Sequence, residues 1–288
     1  MSTGNPTTND SARQPADFDL GGLSIVVTGA CGLIGTEICA AFAEYGALVV
    51  ATDVHPAEQL TSWKAALQDR HDLAKDRIVT LTMDVVSQAS VDRAFEEIDS
   101  RVEHIDVLVN LAAIDAKFEP GGNPVESARF ESYPLDLLQA SIDVNCTGLL
   151  RVTQAAVRRM LRQRSGNVVN VASTYSLVAP NQRLYELGDE PPTYKPVDYV
   201  ATKSVVPNFT RYLATLYGGD GIRANCVVPH GVDNGHGERF RANFGSLSPL
   251  GRMCDVAELR GPFLLLASPA SSYMTGSVLV VDGGWTAW

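Results

Sequence analysis

Short apolar segments alternate with segments of helical spacing along the chain from residue 24 onward. Because each helix must pack back against the strands it connects, this alternation favours a parallel sheet covered on both faces. We therefore predict an α/β fold with a doubly wound parallel sheet of about seven strands. The predicted strands are 24–29, 47–53, 77–85, 105–113, 166–173, 222–229 and 276–284, and the predicted helices are 33–45, 56–69, 90–100, 134–163, 197–218 and 255–268.

The chain reads as one domain. Its 288 residues, 45% of them hydrophobic, suffice for one large buried core. No repeat, low-complexity tract or linker divides the sequence. Residues 1–20 are polar and lack the apolar core of a signal peptide, so we predict a flexible N-terminal arm before a domain that spans 21–288.

Charge and cysteine content narrow the classes of function. The net charge is −10, and a non-specific nucleic-acid binder would need a basic face, so we expect neither nucleic acid nor an anionic membrane as a partner. No apolar run approaches the roughly 20 residues of a membrane span. The five cysteines are scattered without a CxxC pair, which argues against a disulfide framework or a metal site and favours the reducing cytoplasm. A small molecule is the expected partner.

A glycine-rich turn joins the first predicted strand to its helix. In "VVTGACGLIG", Gly29, Gly32 and Gly35 are spaced G-x-x-G-x-x-G, with Leu33 and Ile34 at the helix start. Such glycines let the backbone approach a pyrophosphate, and the helix N-terminus supplies N–H donors and a positive dipole. The strand before and the helix after the turn predict a dinucleotide site.

Residues at the ends of the next strands extend this prediction. Asp53 ends the second strand, where a carboxylate can accept both adenosine ribose hydroxyls and repel a 2′-phosphate. No Arg or Lys follows directly in "DVHPAE", so we expect NAD rather than NADP as the cofactor. Asp84 and Val85 are predicted to hold the adenine edge. The segment from Asn110 to Ala112 offers small residues where the backbone passes close to the cofactor.

A Tyr–Lys pair predicts proton transfer. Tyr199 has Lys203 four residues later, one helical turn away, and Ser173 lies upstream after the fifth predicted strand. A Lys ammonium at that spacing favours the phenolate of a tyrosine, whose ordinary pKa is near 10. The three other tyrosines between residues 171 and 203 lack a Lys at this spacing, so only Tyr199 is predicted to carry the proton.

Further motifs follow in a fixed order. They are "NLAA" at 110–113, "VN" at 144–145, "NVAS" at 170–173, "YVATK" at 199–203 and "VDGG" at 281–284. From about residue 20 to its end, the chain resembles the short-chain dehydrogenase/reductase family, in its shorter-chain branch. The resemblance implies a Rossmann-type sheet of seven parallel strands and a homotetramer or homodimer.

The resemblance also implies roles for individual residues. It places the catalytic tetrad on Asn145, Ser173, Tyr199 and Lys203. Tyr199 would exchange a proton with a substrate hydroxyl or carbonyl while hydride passes between the substrate carbon and the nicotinamide. Lys203 would also hold the nicotinamide ribose, and Asn145 would keep a water that links the lysine to solvent.

The chain departs from the family pattern in places. Its glycine spacing is typical of the longer branch of nucleotide-sugar epimerases and dehydratases, which carries an extra C-terminal substrate domain. Because the sequence ends four residues after "VDGG", we expect the shorter branch. Pro229 and Val232, after the sixth strand, are predicted to touch the cofactor. The usual Pro-Gly there reads Pro229-His230-Gly231, and Asn234 replaces a common Thr. His230 and His236 are interpreted as exposed loop residues, with contact to the substrate as the alternative.

The long spacer between Ser173 and Tyr199 bears on the substrate. An insertion around 176–197, with several charged residues and two tyrosines, predicts a polar flap beside the site. Similar insertions occur in bacterial oxidoreductases of surface-sugar and flagellin-glycan synthesis. We therefore expect an NAD-dependent oxidoreductase of a sugar, sugar phosphate or polyol. A reductase of 3-oxoacyl thioesters and a catalytically inactive NAD(H) sensor remain alternatives, and a surface decoration remains an alternative for the insertion.

Overall fold

The fold was analysed in a computed structural model that describes residues 18–115, 129–185 and 194–288. Seven parallel strands form one sheet in the order β3-β2-β1-β4-β5-β6-β7, as the sequence predicts. The strands are β1 Ser24–Thr28, β2 Leu48–Asp53, β3 Ile78–Thr82, β4 Val107–Asn110, β5 Gly166–Val171, β6 Ile222–Pro229 and β7 Val278–Val281.

Helices cover both faces of the sheet. They are α1 Leu33–Glu44, α2 Ala57–His71, α3 Gln88–Asp99, α4 Leu135–Ile142, α5 Leu149–Gln163, α6 Val197–Tyr217, α7 Glu238–Leu247 and α8 Arg260–Ala267. A π-helical segment, Asp143–Gly148, joins α4 to α5, so the helix predicted over 134–163 is interrupted. The sequence pattern did not predict α7, whose interior contains a glycine. No helix in the described ranges is long and apolar enough to cross a bilayer.

Two apolar layers sandwich the sheet. On one face, Ile25 and Val27 of β1 pack into a cluster that includes Phe42 of α1. On the other face, Val26 packs into a cluster that includes Phe95 of α3 and Met160 of α5. Successive residues of one strand thus contact opposite layers, as the alternation of side chains along a buried strand requires.

The domain begins slightly earlier than predicted. Residues 1–17 of the predicted arm lie outside the described residues. Leu20, the last residue of that arm, is fully buried in the cluster around α1. Its backbone N–H donates to the carbonyl oxygen of Tyr45 at 2.9 Å. The predicted arm is therefore wrong at its end, because Leu20 covers core surface that would otherwise face water.

The strand order reverses beside β1, which fixes where a ligand can bind. β1 pairs with β2 on one side and with β4 on the other. The connections on the two sides of β1 therefore run in opposite directions, and they open a crevice at the carboxyl ends of the strands. Thr28 closes the floor of this crevice. Its Oγ1 accepts hydrogen bonds from the N–H groups of Leu111 at 3.1 Å and Ala112 at 3.0 Å.

Candidate active site

The glycine-rich turn forms a close-packed cradle at this crevice. Gly29 has a φ of 66°, and a Cβ there would lie 2.8 Å from Cα of Ala112. A Cβ on Gly35 would lie 2.3 Å from the carbonyl oxygen of Gly29. Gly32 is the N-cap of α1 without a side-chain cap, which leaves the first N–H groups of the helix for a ligand. The cradle therefore fits a dinucleotide pyrophosphate.

Asp53 lies at the end of β2, as predicted, and is tied to the cradle. It is buried, and its Oδ2 accepts a hydrogen bond from the N–H of Cys31 at 2.9 Å. Its Oδ1 accepts one from the N–H of Val54 at 2.8 Å. Each carboxylate oxygen keeps a further lone pair. The carboxylate is thus held in place and can still accept ribose hydroxyls.

Residues predicted to hold the adenine lie one strand further along. Oδ1 of Asp84 accepts from the N–H of Val86 at 2.9 Å, which shapes the turn after β3. Val85 is buried, and its carbonyl oxygen accepts from Nη1 of Arg151 at 2.6 Å. This turn can therefore contact an adenine ring through two groups, the carboxylate of Asp84 and the apolar side chain of Val85.

Asn110, at the end of β4, contributes differently from its neighbours. Its Nδ2 lies 2.9 Å from both Oγ1 of Thr153 and Oδ1 of Asn170. Nδ2 of Asn170 donates in turn to Oγ1 of Thr210 at 2.9 Å. The amide nitrogen of Asn110 is therefore committed to this buried chain of hydrogen bonds, which fixes the end of β4 beside the cofactor crevice.

Ser173, Tyr199 and Lys203 come together at the carboxyl end of β5. Tyr199 and Lys203 lie one turn apart near the start of α6, and Ser173 follows the strand. The Ser173 hydroxyl lies near the phenol of Tyr199 and acts to lower its pKa. Lys203 is buried, and its Nζ donates to the carbonyl oxygen of Val171 at 2.9 Å and lies 5.9 Å from the centroid of the Tyr199 ring.

The electrostatics differ from the predicted effect of the lysine. Burial, and secondly the carboxylate of Asp115, raise the pKa of Tyr199 above its ordinary value, against the opposing effect of the Ser173 hydroxyl. Burial lowers the pKa of Lys203 to about 8. Burial and Asp115 thus raise the pKa of Tyr199, whereas the Tyr–Lys spacing predicts a shift toward the phenolate. At neutral pH Tyr199 is a phenol that can donate a proton.

Asn145 lies in the π-helical segment and is buried. Its Oδ1 accepts from the N–H of Ile114 at 2.8 Å, and its Nδ2 donates to the carbonyl oxygen of Ile114 at 2.9 Å. Nδ2 also lies 3.0 Å from Oγ1 of Thr202, the neighbour of Lys203. Asn145 thus ties the backbone after β4 to the helix that carries Tyr199. π-helical turns are frequent at functional sites.

A cavity of about 250 Å³ opens beside Tyr199. Pro229 and Val232, predicted to touch the cofactor, line it together with Ile34 of the cradle. The cavity therefore joins the dinucleotide crevice to the proton-transfer residues. The other residues that line it are Asp115, Ser173, Tyr175, Leu184, Tyr185, Lys195, Tyr199, His230, Gly231, His236, Phe240, Phe244 and Met253.

His230 corrects a prediction. It is 8% exposed rather than on an open loop, and its ring lies 4.4 Å from that of Trp285 and 5.2 Å from that of Phe244. Its Nδ1 is hydrogen-bonded to Oγ1 of Thr174 at 2.5 Å. Burial lowers its pKa to about 4. The aromatic partners come from distant parts of the chain, so a loop position in the sequence gave no sign of them. His236 is only partly exposed and lines the cavity with His230, so contact with the substrate stays a prediction for both histidines.

The predicted insertion lines two spaces, the cavity beside Tyr199 and an adjoining groove. Its residues 186–193 lie outside the described residues. The phenol of Tyr185 lies 3.1 Å from that of Tyr175 and faces the cavity. Tyr194 instead lies in an adjoining groove of about 360 Å³, with the guanidinium of Arg129 over its ring at 5.4 Å. Lys195 lines both spaces.

Sequence reasoning missed Asp115. It follows β4, lines the cavity and forms an ion pair with Nζ of Lys195. The two residues are 80 positions apart, so only the fold brings them together. The one sequence signal was the position of Asp115 after the carboxyl end of a strand, where α/β sheets bind ligands.

A dinucleotide cradle beside a Ser–Tyr–Lys cluster at the carboxyl edge of the sheet defines a nicotinamide-dependent oxidoreductase. Comparison with known proteins agrees. A family model described as enoyl-(acyl carrier protein) reductase matches residues 29–286. The chain belongs to the short-chain dehydrogenase/reductase family, whose members use NAD or NADP.

Relatives along nearly the whole chain include polyol dehydrogenases. A D-threitol dehydrogenase of Mycolicibacterium smegmatis is 31% identical, over 94% of this chain and 95% of that protein. A galactitol 2-dehydrogenase (L-tagatose-forming) of Cereibacter sphaeroides is 29% identical, over 94% and 98%. The 3-oxoacyl-[acyl-carrier-protein] reductase FabG of Thermotoga maritima is 30% identical, over 92% and 98%.

Solved structures share the fold. A gluconate 5-dehydrogenase from Burkholderia cenocepacia, in complex with NADP and tartrate, superposes with a TM-score of 0.80 at 28% identity. The match covers 94% of this chain and 98% of that chain. The family, the fold and oxidoreductase activity are therefore established, and the cofactor and substrate remain to be argued from the site.

Proposed function

We propose that the protein is an NAD-dependent dehydrogenase that interconverts a secondary alcohol and a ketone of a polar, polyhydroxylated substrate. The observation that carries this proposal is that Ser173 and Tyr199 line one small cavity, which also reaches Ile34 of the glycine cradle. The proposed catalytic residues are Tyr199, Ser173, Lys203 and Asn145.

Each of these side chains has a distinct task. Tyr199 takes the proton of the substrate hydroxyl during oxidation and returns it to the carbonyl oxygen during reduction. Ser173 hydrogen-bonds the same substrate oxygen. Lys203, near the Tyr199 ring, favours the phenolate while it is charged. Bound NAD supplies the hydride acceptor. Asn145 holds the backbone of Ile114 against the helix of Tyr199.

The fixed carboxylate of Asp53 supports NAD over NADP. A 2′-phosphate would face a buried negative charge, which is costly where water does not screen it. The ribose hydroxyls of NAD would instead donate to that carboxylate. One NADP complex exists among the structural relatives, so the preference has to be measured for this chain.

The cavity supports a small polar substrate. Its volume lies below the roughly 300–1,000 Å³ that is usual for drug-sized ligands. Hydroxyl groups of Tyr175 and Tyr185 and charged groups of Asp115 and Lys195 line it. These groups offer hydrogen bonds to a polyol, while Phe240, Phe244 and Met253 contribute apolar surface to the same lining. The threitol and galactitol dehydrogenases among the relatives support the same choice.

The proposal includes a homo-oligomer, a dimer or tetramer, working in the cytoplasm. Apolar side chains stand exposed on neighbouring helices: Leu150 on α5 and Val205, Tyr212 and Leu216 on α6, with Tyr212 58% exposed. Such a patch favours burial between copies of the chain. The five cysteines, all free in the structure, are compatible with a reducing compartment.

A substrate panel tests the proposal. The protein is incubated with NAD+ and four- to six-carbon alditols, aldoses and sugar phosphates, and with NADH or NADPH and 3-oxoacyl thioesters, while NADH absorbance is followed. The expected result is NAD+ reduction by alditols. Reduction of acyl thioesters with NADPH, without alcohol oxidation by NAD+, would instead support the reductase suggested by the relative from Thermotoga maritima.

A further inference from the structure

One ion pair lines the cavity without itself exchanging a proton with the substrate in the proposed reaction. Asp115 follows β4, and Lys195 stands two residues before the start of α6. The N–H of Lys195 donates to Oε1 of Gln182 at 2.9 Å, which fixes its backbone. The side chains of Asp115 and Lys195 pair across the cavity that contains Tyr199. The pair is therefore within the space that a substrate must fill.

The two partners differ in burial. The Lys195 side chain is 12% exposed, whereas that of Asp115 is 44% exposed. Nζ of Lys195 lies 4.2 Å from the centroid of the Tyr199 ring. A nearly buried ammonium needs a permanent acceptor, because an unpaired charge out of water is costly. The pair thus places two opposite charges on the cavity wall, and their sum is zero.

The other described residues around the cavity do not upset this balance. The buried ring of His230, whose pKa burial lowers to about 4, is uncharged at neutral pH. His236 lies beside Asp233, with Nδ1 3.4 Å from Oδ1 of that carboxylate. Of the described residues that line the cavity, Asp115 and Lys195 are the ones with an Asp, Glu, Lys or Arg side chain. Their opposite charges sum to zero.

We propose that the Asp115–Lys195 pair determines substrate specificity by binding hydroxyl groups of an uncharged polyol. Asp115 accepts a hydrogen bond from one hydroxyl, and Lys195 donates one to another, while Tyr199 and Ser173 hold the reacting oxygen. The inference rests on the proposed function and narrows it, because Asp115 is the more exposed partner and would meet a carboxylate or phosphate on the substrate as a like charge, while its ion pair keeps Lys195 from binding that anion. Sugar acids and sugar phosphates are therefore poor substrates.

Charge-changing variants test the pair. The readout is the ratio of kcat/KM for an alditol to that for the aldonate of the same chain length. Because both substrates use Tyr199, the ratio cancels any common effect on proton transfer. The variants are Asp115→Asn, which leaves Lys195 as a free cation, and Lys195→Gln, which leaves Asp115 as a free anion. Melting temperature and NADH affinity show whether each variant is folded.

Asp99→Asn serves as the matched control. The Asp99 carboxylate pairs with Arg159, Nε to Oδ1 at 2.6 Å, with side-chain exposures of 48% and 16% that resemble those of the test pair. Asp99 ends α3, just before β4 begins, so it lies at the edge of the sheet opposite the cavity. A general effect of losing one carboxylate would appear in this variant as well.

The expected results have opposite signs. Asp115→Asn should lower the alditol-to-aldonate ratio by on the order of tenfold or more, since one nearby charge is removed. Lys195→Gln should raise the ratio by excluding the anion further, and Asp99→Asn should leave it unchanged. If Asp115→Asn fails to fold, the Lys195→Gln ratio decides alone, and a gain of aldonate activity there would overturn the inference.

Other outcomes separate the inference from the proposed function. A wild-type protein that oxidises alditols, with unchanged ratios in both variants, would overturn the specificity role and leave the polyol dehydrogenase standing. A wild-type protein that oxidises aldonates more efficiently than alditols would also overturn the specificity role and leave the polyol dehydrogenase standing. A wild-type protein that oxidises neither class would overturn both, because the inference rests on the proposed function.

Discussion

The ammonium of Lys195 lies 4.2 Å from the centroid of the Tyr199 ring, nearer than the ammonium of Lys203 at 5.9 Å. The proposed proton carrier is therefore close to two lysines from different segments of the chain. Lys195 is paired with Asp115, whose carboxylate acts on the same phenol and raises its pKa. The balance of these charges and of burial sets the pH at which Tyr199 can work.

The first prediction concerns the pH dependence of oxidation. Because the pKa of Tyr199 is raised, its base form appears as pH rises, and kcat/KM for alcohol oxidation should increase from neutral toward alkaline pH. Asp115→Asn removes one cause of the raised pKa and should move this rise to lower pH, by about one unit. The same carboxylate also raises the pKa of Tyr175 and of Lys203, so the variant should lower those two pKa values as well. A pH profile that stays in place or moves upward would contradict the assignment.

The second prediction concerns cofactor choice. Wild-type protein should bind NADH at least about tenfold more tightly than NADPH, because Asp53 faces the adenosine ribose. Asp53→Ser should reduce this preference, since the hydroxyl can accept a hydrogen bond without repelling a phosphate. Asp84→Asn, in the proposed adenine turn, should affect both cofactors alike. Titrations followed by nucleotide fluorescence measure these affinities, and equal affinities in the wild type would contradict the role of Asp53.

The third prediction separates two glycines of the cradle. A Cβ on Gly35 would lie 2.3 Å from the carbonyl oxygen of Gly29, so Gly35→Ala should lower the free energy of unfolding by about 2 kcal/mol or more. A Cβ on Gly32 has its nearest neighbour at 3.4 Å, and the φ of Gly32 is −67°. Gly32→Ala should therefore stay folded and lose NADH affinity at least about tenfold. Normal NADH binding by Gly32→Ala would count against the cradle.

Much of this arrangement could be predicted from local sequence. Runs such as "SIVVT" are buried on both faces of the sheet, and the Tyr199–Lys203 spacing needs only one helical turn. What could not be predicted depends on distant partners. His230 is buried against the rings of Trp285 and Phe244. Asp115 is held at the cavity by its ion pair with Lys195. The turn around Asn145 became π-helical, which no spacing in the sequence indicated.

The fourth prediction concerns stability in acid. The pKa of His230 is about 4 in the folded protein, against about 6.5 in an unfolded chain. The unfolded state therefore binds this proton first, so the stabilisation is complete above pH 6.5 and is lost as pH falls toward 4. We expect a loss on the order of 2–3 kcal/mol from this residue.

Urea unfolding of the wild type, His230→Gln and His236→Gln at several pH values measures this contribution. His230→Gln should show a shallower loss of stability between pH 6.5 and 4, because its side chain does not titrate. His236→Gln controls for the loss of a histidine side chain that lines the same cavity and is partly exposed. Parallel curves for all three proteins would show that His230 does not titrate as the structure implies.

The most direct test of the central claim is the rate of NADH formation by Tyr199→Phe with NAD+ and the best alditol. The variant removes one hydroxyl and keeps the ring beside Lys195 and Lys203, so NADH affinity and melting temperature should stay close to those of the wild type. Loss of general acid–base catalysis should lower kcat by about 10²–10⁴-fold. A variant that binds NADH normally and retains wild-type kcat would contradict Tyr199 as the proton carrier.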